Sequence, residues 1–193
     1  MRVHEKITTG LMALALFATV AGAAPREEEE PRSVKEFNLG KQALAIDGYD
    51  PVAYFPEGGG KPAEGDAKLE LEHEGVRYRF ASEKNRDLFR KNPARFEPAF
   101  GGWCAWAMAK DKQVDVDPES FLIQDGRLLL FYKGLFNNTR KKWEKGEPEQ
   151  LLPRADGHWK ERLRRRDEAQ SETGSPLGTR SGTTGARLVS VRL

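Results

Sequence analysis

The stretch KLELEHEGVRYRF, residues 68–80, decides the fold class. Apolar and polar residues alternate on both sides of Glu74-Gly75, a pair typical of a two-residue hairpin turn. Leu71 and His73 share one face of the first predicted strand, because side chains of a strand alternate between its two faces. The segment therefore predicts a β-hairpin that turns one face toward a core.

A second hairpin is predicted over FLIQDGRLLLFYK (121–133), which turns at Asp125-Gly126. Short helices are predicted after each hairpin, over residues 82–92 with a serine cap and over residues 137–146. Two hairpins with interspersed short helices indicate a small single domain of the α+β class. The sequence shows no internal repeat and no glycine-rich phosphate loop.

Both ends of the chain have compositions that do not predict a packed structure. Residues 1–24 have the basic start, apolar core and small residues of a signal peptide, with an uncleaved anchor as the alternative interpretation. Residues 25–34 form an acidic linker, and residues 166–193 are predicted to be a disordered tail. The domain is left with residues 35–165, and the signal peptide predicts a periplasmic location in a bacterium or secretion.

The charge balance indicates which partners to expect. The chain has 32 basic and 30 acidic residues and a formal net charge of +2. This balance does not predict binding to nucleic acid or to a membrane surface. The apolar run near the N-terminus is short for a bilayer span, so no stable membrane insertion is expected after signal removal. A protein partner stays open.

The segment GGWCAWAMAK (101–110) contains Cys104, the only cysteine of the sequence. A single cysteine excludes an intrachain disulfide. A nucleophilic thiol would need an accessible thiolate and a histidine base, and the only later histidine is His158. No acid–base pair stands out, so an enzyme is not expected. The alternative is a small buried side chain between Trp103 and Trp106.

A binding site is predicted from residues that only folding can bring together. The loop DGYDP (47–51) supplies Asp50, and with Tyr54 and Cys104 it forms the candidate ligand-binding set. Cys104 and His73 are the candidate metal ligands, because thiolate and imidazole suit transition metals. Both features also have ordinary interpretations: Asp and Gly before Pro favour a tight turn, and a strand histidine is commonly half-buried and hydrogen-bonded.

Several segments in order together resemble the YHS-domain family. They are AIDGYDPVAYF (45–55), residues 75–110, DPESFLIQDGRLLLFY (117–132) and ADGHW (155–159). The chain is most similar to the secreted, single-domain branch of this family, which resembles TRASH-like metal modules. The resemblance implies a small α+β fold. For the metal-handling members of the family it also implies heavy-metal binding through cysteines.

In those metal-handling members, cysteines stand where this chain has Ala53, Ala81 and Asn85. Alanine has no ligand atom in its side chain, and a neutral amide is a poor ligand for soft metals. Any transition-metal cofactor would therefore need other ligands. We expect an extracytoplasmic YHS-domain binding module for a metal ion or a small ligand. The alternatives are a structural protein-interaction domain and a thiol-based redox role of Cys104.

Overall fold

The computed structural model describes residues 34–173. The predicted signal peptide (1–24), the predicted acidic linker (25–34) except its last residue, and residues 174–193 of the predicted tail lie outside the described residues. The described part has two separate antiparallel hairpins, each a two-stranded sheet, with short helices between and after them. The predicted α+β class is confirmed.

The first predicted hairpin forms from β1 (Asp66–His73) and β2 (Val76–Phe80). Both turn residues, Glu74 and Gly75, have positive φ, as a type I′ turn requires to match the twist of the strands. Side chains along β2 alternate between buried and half-buried, so one face of the hairpin enters the core. The hairpin predicted over residues 68–80 is confirmed.

The first hairpin leads into the capped helix that the sequence predicts. The side-chain oxygen of Ser82 accepts the N–H of Asn85 at 3.2 Å, which begins α1 (Glu83–Lys91). Pro93 disfavours a helical conformation in the residue before it, so α1 ends at this point. The same proline is the first residue of the next helix, α2 (Pro93–Phe96). The short helix α3 (Ala105–Met108) follows the double glycine of the cysteine segment.

The second predicted hairpin consists of β3 (Asp117–Gln124) and β4 (Arg127–Phe131), joined through two residues of positive φ. The predicted charged helix follows as α4 (Thr139–Lys145). The side chain of Asn138 caps it by accepting the N–H of its third residue at 3.0 Å. Trp143 is fully buried and fixes the helix to the core.

The last helix, α5 (Pro148–Thr173), extends into the segment for which the sequence predicts a disordered tail. Residues 166–173 are helical, although they were assigned to the disordered tail. Ion pairs one turn apart explain the extension: Glu161 contacts Arg164 at 2.7 Å and Arg165 at 2.8 Å. Such pairs stabilise helical backbone without any apolar burial, so the polar composition of this segment did not reveal the helix.

The apolar sequence of β4 results from the burial of both its faces. Leu128 and Leu130 lie in a first core with the first hairpin and buried residues of the 45–55 segment. Leu129 and Phe131 lie in a second core with α3, α4 and α5. A strand buried on both faces has a continuous apolar run, whereas β2 alternates because only one of its faces is covered. β4 therefore joins the two cores, and its partner β3 also contributes to both, through Phe121 and Leu122.

The two hairpins share one backbone plan that the sequence analysis did not detect. In each hairpin, the first residue of the longer strand pairs with the last residue of the shorter strand. Asp66 pairs with Phe80, and Asp117 pairs with Phe131. The register then shifts in both before regular pairing begins. The second residue of each short strand also forms a parallel bridge, to Leu44 in one case and to Pro98 in the other. The shared plan therefore includes the segment before each hairpin.

The segments that follow these bridges also match. Residues 46–48 have φ values of 52°, 51° and 88°, and residues 100–102 have 57°, 59° and 88°. Two residues later, the N–H of Asp50 donates to a backbone carbonyl at 2.8 Å, as does that of Cys104 at 3.1 Å. The domain is an internal structural repeat, with a first half of residues 44–91 and a second half of residues 98–145. Asp50 and Cys104 occupy equivalent positions.

Candidate functional site

Asp50 is fully buried, and its carboxylate is saturated with hydrogen bonds. Oδ1 accepts the backbone N–H groups of Val52 at 2.8 Å and Ala53 at 3.3 Å. Oδ2 accepts the backbone N–H of Ala81 at 2.9 Å and the side-chain amide of Asn85 at 2.6 Å. A buried carboxylate is tolerated when such donors replace its hydration. Asp50 thus fastens its own loop to the beginning of α1.

Tyr54 links the same loop to the second half. Its ring is buried, and its hydroxyl donates to the carbonyl of Pro118 at 2.9 Å. The ring also makes an edge contact with Phe121, with 4.9 Å between the ring centres. Burial, and then the neighbouring Tyr49 and Asp50, raise the pKa of Tyr54 far above its ordinary value. The hydroxyl therefore stays protonated near neutral pH and remains a hydrogen-bond donor.

Cys104 is fully buried, and its sulfur lies 3.3 Å from the hydroxyl oxygen of Thr139. That hydroxyl donates its single hydrogen to the carbonyl of Tyr132 at 2.9 Å. The thiol must therefore be the donor to Thr139, so its S–H joins the beginning of α3 to the beginning of α4. Thiol chemistry needs an accessible thiolate, and this burial instead supports the structural interpretation of Cys104.

The candidate metal ligands Cys104 and His73 contact different elements of the structure. His73 ends β1 and makes an edge contact with Phe89 at 6.0 Å between ring centres, whereas the Cys104 thiol contacts α4. The other described histidine, His158, has its Nδ1 atom 2.9 Å from the carbonyl of Met108. Within residues 34–173, no three His, Cys, Asp or Glu side chains are grouped so that they could hold a metal ion.

The predicted ligand-binding set does not form one open site. Asp50 and Tyr54 are neighbours in one loop, and each is buried with its own hydrogen-bond partners. Cys104 occupies the equivalent position in the other half and bonds to Thr139. Asp50 and Tyr54 connect their loop to the beginning of α1 and to Pro118, whereas Cys104 connects α3 to α4, so the three side chains serve separate contacts.

An open cleft of about 410 Å³ lies beside the double glycine instead. Its aromatic walls come from Phe37, Phe100 and Trp159, and the first and last of these meet edge to face at 5.8 Å. Gly101 borders the cleft with φ of +59°, and a Cβ atom there would lie 2.9 Å from the Trp159 ring. Only glycine permits this close approach of backbone and ring.

Two arginines and one carboxylate, that of Glu97, line the cleft. Arg95 contacts Glu57 at 3.2 Å, and Arg127 contacts Asp156 at 2.8 Å. The Arg127 guanidinium also lies 5.2 Å from the centre of the Phe100 ring. Because such partly exposed ion pairs are weak, an incoming anion can replace their carboxylates at low cost. Arginine and aromatic walls together suit a small planar molecule that carries an anionic group.

Sequence reasoning missed the residues of this cleft. Arg95, Arg127 and Trp159 lie in three separate elements, and nothing in their local sequence distinguishes them from surface residues. The double glycine at 101–102 was the available signal, because glycine often marks close backbone approach.

In comparisons with protein-family models, curated proteins and solved structures, nothing matches this chain. The functional argument therefore depends on the geometry of its own residues. None of the helices within residues 34–173 combines the length and the apolar character that crossing a bilayer requires.

Proposed function

We propose that the chain is an extracytoplasmic binding module of the YHS type that takes a small organic anion in the cleft beside Gly101. One observation supports the family assignment most directly. Ala53, Ala81 and Asn85, which align with the metal-binding cysteines of the family, all donate hydrogen bonds to the carboxylate of Asp50. Two backbone N–H groups and one side-chain amide, from Ala53 and from the distant 81–85 segment, thus meet at one carboxylate, which supports a scaffold shared with the metal-handling members.

The same network argues for a function without a metal at this point. Both carboxylate oxygens of Asp50 already accept two hydrogen bonds each, so binding a cation there would break several of them. Breaking a buried hydrogen bond leaves its donor unpaired, which costs about 1–3 kcal/mol for each donor. The carboxylate–amide network therefore takes over the structural role that a bound metal has in metal-handling relatives.

The ligand chemistry follows from the walls of the cleft. Its volume falls within the range of small-molecule pockets, roughly 300–1,000 Å³. Its walls combine three aromatic rings and two guanidinium groups with the Glu97 carboxylate, which accepts the Tyr78 hydroxyl at 2.6 Å. Aromatic rings favour a flat apolar body, and arginine pairs with a carboxylate through two parallel hydrogen bonds. An aromatic carboxylate is the simplest molecule with both features.

The test is an NMR titration of the full chain with benzoate, phenylacetate and indole-3-acetate. We expect shifts of the Gly101 amide and the Trp159 indole N–H, with affinity reduced at least about tenfold in Arg127→Ala, since a charged hydrogen bond contributes about 1.5–3 kcal/mol. Arg140→Ala is the matched control, because Arg140 pairs with Glu144 on α4 and does not line the cleft. Absence of these shifts, or equal losses in both variants, would contradict the proposed ligand class.

A further inference from the structure

The second half contains a loop that the shared backbone plan does not need. In the first half, one residue, Ala81, separates the end of β2 from the helix cap Ser82. In the second half, residues 132–137 lie between the end of β4 and the cap Asn138. Because the same hairpin-to-helix connection is made by a single residue elsewhere in the molecule, the longer loop requires another explanation.

The tip of this loop exposes two large apolar side chains. Leu135 is 90% exposed and Phe136 is 97% exposed. Their turn is closed by two backbone hydrogen bonds between Gly134 and Asn137, at 2.8 Å and 3.4 Å. A closed turn has fewer free backbone groups, which lowers the cost of moving its tip out of water. Adjacent and fully exposed apolar residues of this kind indicate a contact surface.

Lysines of α4 stand beside the tip. Lys141, Lys142 and Lys145 are exposed, and together with the loop they line a shallow depression of about 490 Å³. None of the three has an ion-pair partner among residues 34–173. Lys133 at the base of the loop, by contrast, lies 3.7 Å from Asp117. Three positive charges are therefore left uncompensated next to the apolar tip.

The basic area continues beyond α4. A neighbouring depression of about 380 Å³ shares Lys142 and adds Lys110, Lys112 and Trp106. The Lys110 ammonium lies 4.5 Å from the centre of the Trp106 ring. The formal net charge of +2 for the whole chain does not reveal this local group of lysines, which Glu144 and Glu147 accompany in the sequence.

We propose that Leu135 and Phe136, with Lys141, Lys142 and Lys145, form a docking surface for an anionic phospholipid bilayer. The apolar tip enters the interface, and the lysines lie near the lipid phosphates. A lipid surface fits better than a protein partner, because lysine is depleted in protein interfaces. Two apolar side chains also supply little of the roughly 800 Å² per partner that a stable protein interface buries.

The test is co-sedimentation of the full chain with phosphatidylcholine vesicles that contain or lack phosphatidylglycerol. We expect binding to the anionic vesicles only, and release at high salt, since salt screens the lysines. Lys141→Gln/Lys142→Gln/Lys145→Gln should weaken binding at least about twentyfold, because each lysine contributes about fivefold near an anionic surface. The matched control, Lys61→Gln/Lys68→Gln/Lys91→Gln, removes three exposed lysines elsewhere and should change binding less than about threefold.

A second variant tests the tip itself. Leu135→Ser/Phe136→Ser should keep the circular dichroism spectrum, because both side chains are exposed, and should weaken vesicle binding at least about tenfold. In Leu135→Cys, an environment-sensitive dye is attached to the new cysteine, while buried Cys104 stays unlabelled. The fluorescence emission of the dye should shift to shorter wavelength when anionic vesicles are added.

Three outcomes would overturn the proposal. The first is equal or absent binding to both kinds of vesicle. The second is unchanged vesicle binding in the Leu135→Ser/Phe136→Ser variant, which would indicate non-specific charge attraction. The third is that the natural chain does not bind vesicles but forms a concentration-dependent dimer, and that the Leu135→Ser/Phe136→Ser variant is monomeric. This result would assign the surface to a second copy of the chain.

Discussion

The two halves of the domain place opposite kinds of side chain at one equivalent position. Asp50 in the first half accepts four hydrogen bonds, from its own loop and from the region where α1 begins. In the second half, the sulfur of Cys104 makes one hydrogen bond, with Thr139. A buried carboxylate needs this full set of donors, whereas a thiol packs as a nearly apolar group. One backbone plan thus supports a polar anchor and an apolar one.

The hairpins differ in the same way. Glu70 of the first hairpin forms ion pairs with Arg77 at 2.6 Å and Arg79 at 2.8 Å. The residue at the equivalent position in the second hairpin is Phe121, which pairs with Leu130 and packs on the core. The first half is therefore held partly by charge, and the second mainly by apolar contact. Substitutions in the two halves should have correspondingly different effects.

The largest effect is expected at Asp50. Asp50→Ala leaves buried donors without an acceptor, including the Asn85 amide, and should lower the free energy of unfolding by about 3–5 kcal/mol. Urea denaturation measures this loss. Asp66→Ala is the matched control, since Asp66 is exposed and accepts one backbone N–H from Lys68, so it should cost below about 1 kcal/mol.

If Asp50→Ala does not fold, Asp50→Asn keeps the shape and removes the charge. That variant should be intermediate in stability, because an amide can accept only at its oxygen. Equal stability of the natural chain and Asp50→Asn would show that the buried charge is unimportant.

A second prediction tests the proposed family relationship. Ala53→Cys/Ala81→Cys/Asn85→Cys should bind zinc near one equivalent, because the three positions surround one point and thiolates are strong zinc ligands. Elemental analysis after dialysis measures the metal, and the natural chain is expected to hold none there. Ala105→Cys/Ala107→Cys/Ala109→Cys, three buried alanines of the second half, is the control. Zinc uptake by both variants to the same extent would remove this support for the family assignment.

The equivalent substitution in the second half should have a smaller effect. Cys104→Ser keeps a donor to Thr139 and changes little volume, so it should cost about 1 kcal/mol or less by urea denaturation. A thiol reagent should react with Cys104 only under denaturing conditions, because the side chain is fully buried in the folded state. Rapid reaction of the folded chain would restore the redox interpretation.

The smallest expected effect is the loss of stability of the first hairpin in acid. Hydrogen bonds from Arg79 and then Arg77 lower the pKa of Glu70 below its ordinary value of 4.5. A lowered pKa stabilises the folded state above pH 4.5, and this contribution is lost as the pH falls below that value. Amide protection factors, which correct for the slower intrinsic exchange in acid, should therefore fall in β1 and β2 before they fall in β3 and β4 as acid is added. Glu70→Gln should remove this difference between the hairpins, and an unchanged difference would assign it to another group.

The candidate site was only partly predictable from sequence. Asp50, Tyr54 and Cys104 are predicted as ligand-binding residues, and the structure buries each with hydrogen-bond partners that the sequence did not predict. The carboxylate of Asp50 contacts Ala81 and Asn85, which lie 31 and 35 positions further along the chain, and no local pattern encodes these contacts. The arginines and rings of the cleft were missed for the same reason.

The sequence by itself determined the local elements. Glu74-Gly75 and Asp125-Gly126 fixed both hairpins, since few residue pairs adopt positive φ in succession, and Ser82 fixed the beginning of α1 through a hydrogen bond three residues away. These features depend on neighbours in the chain and can therefore be predicted from them.

Only the tertiary structure decided how these elements are used. It buried both faces of β4, gave Asp50 and Cys104 equivalent positions, and placed Leu135 and Phe136 beside uncompensated lysines. The repeat shares φ values and hydrogen bonds but few residue types, so the sequence alone did not reveal it. Burial and charge compensation depend on residues distant in the chain, and packing alone brings those residues together.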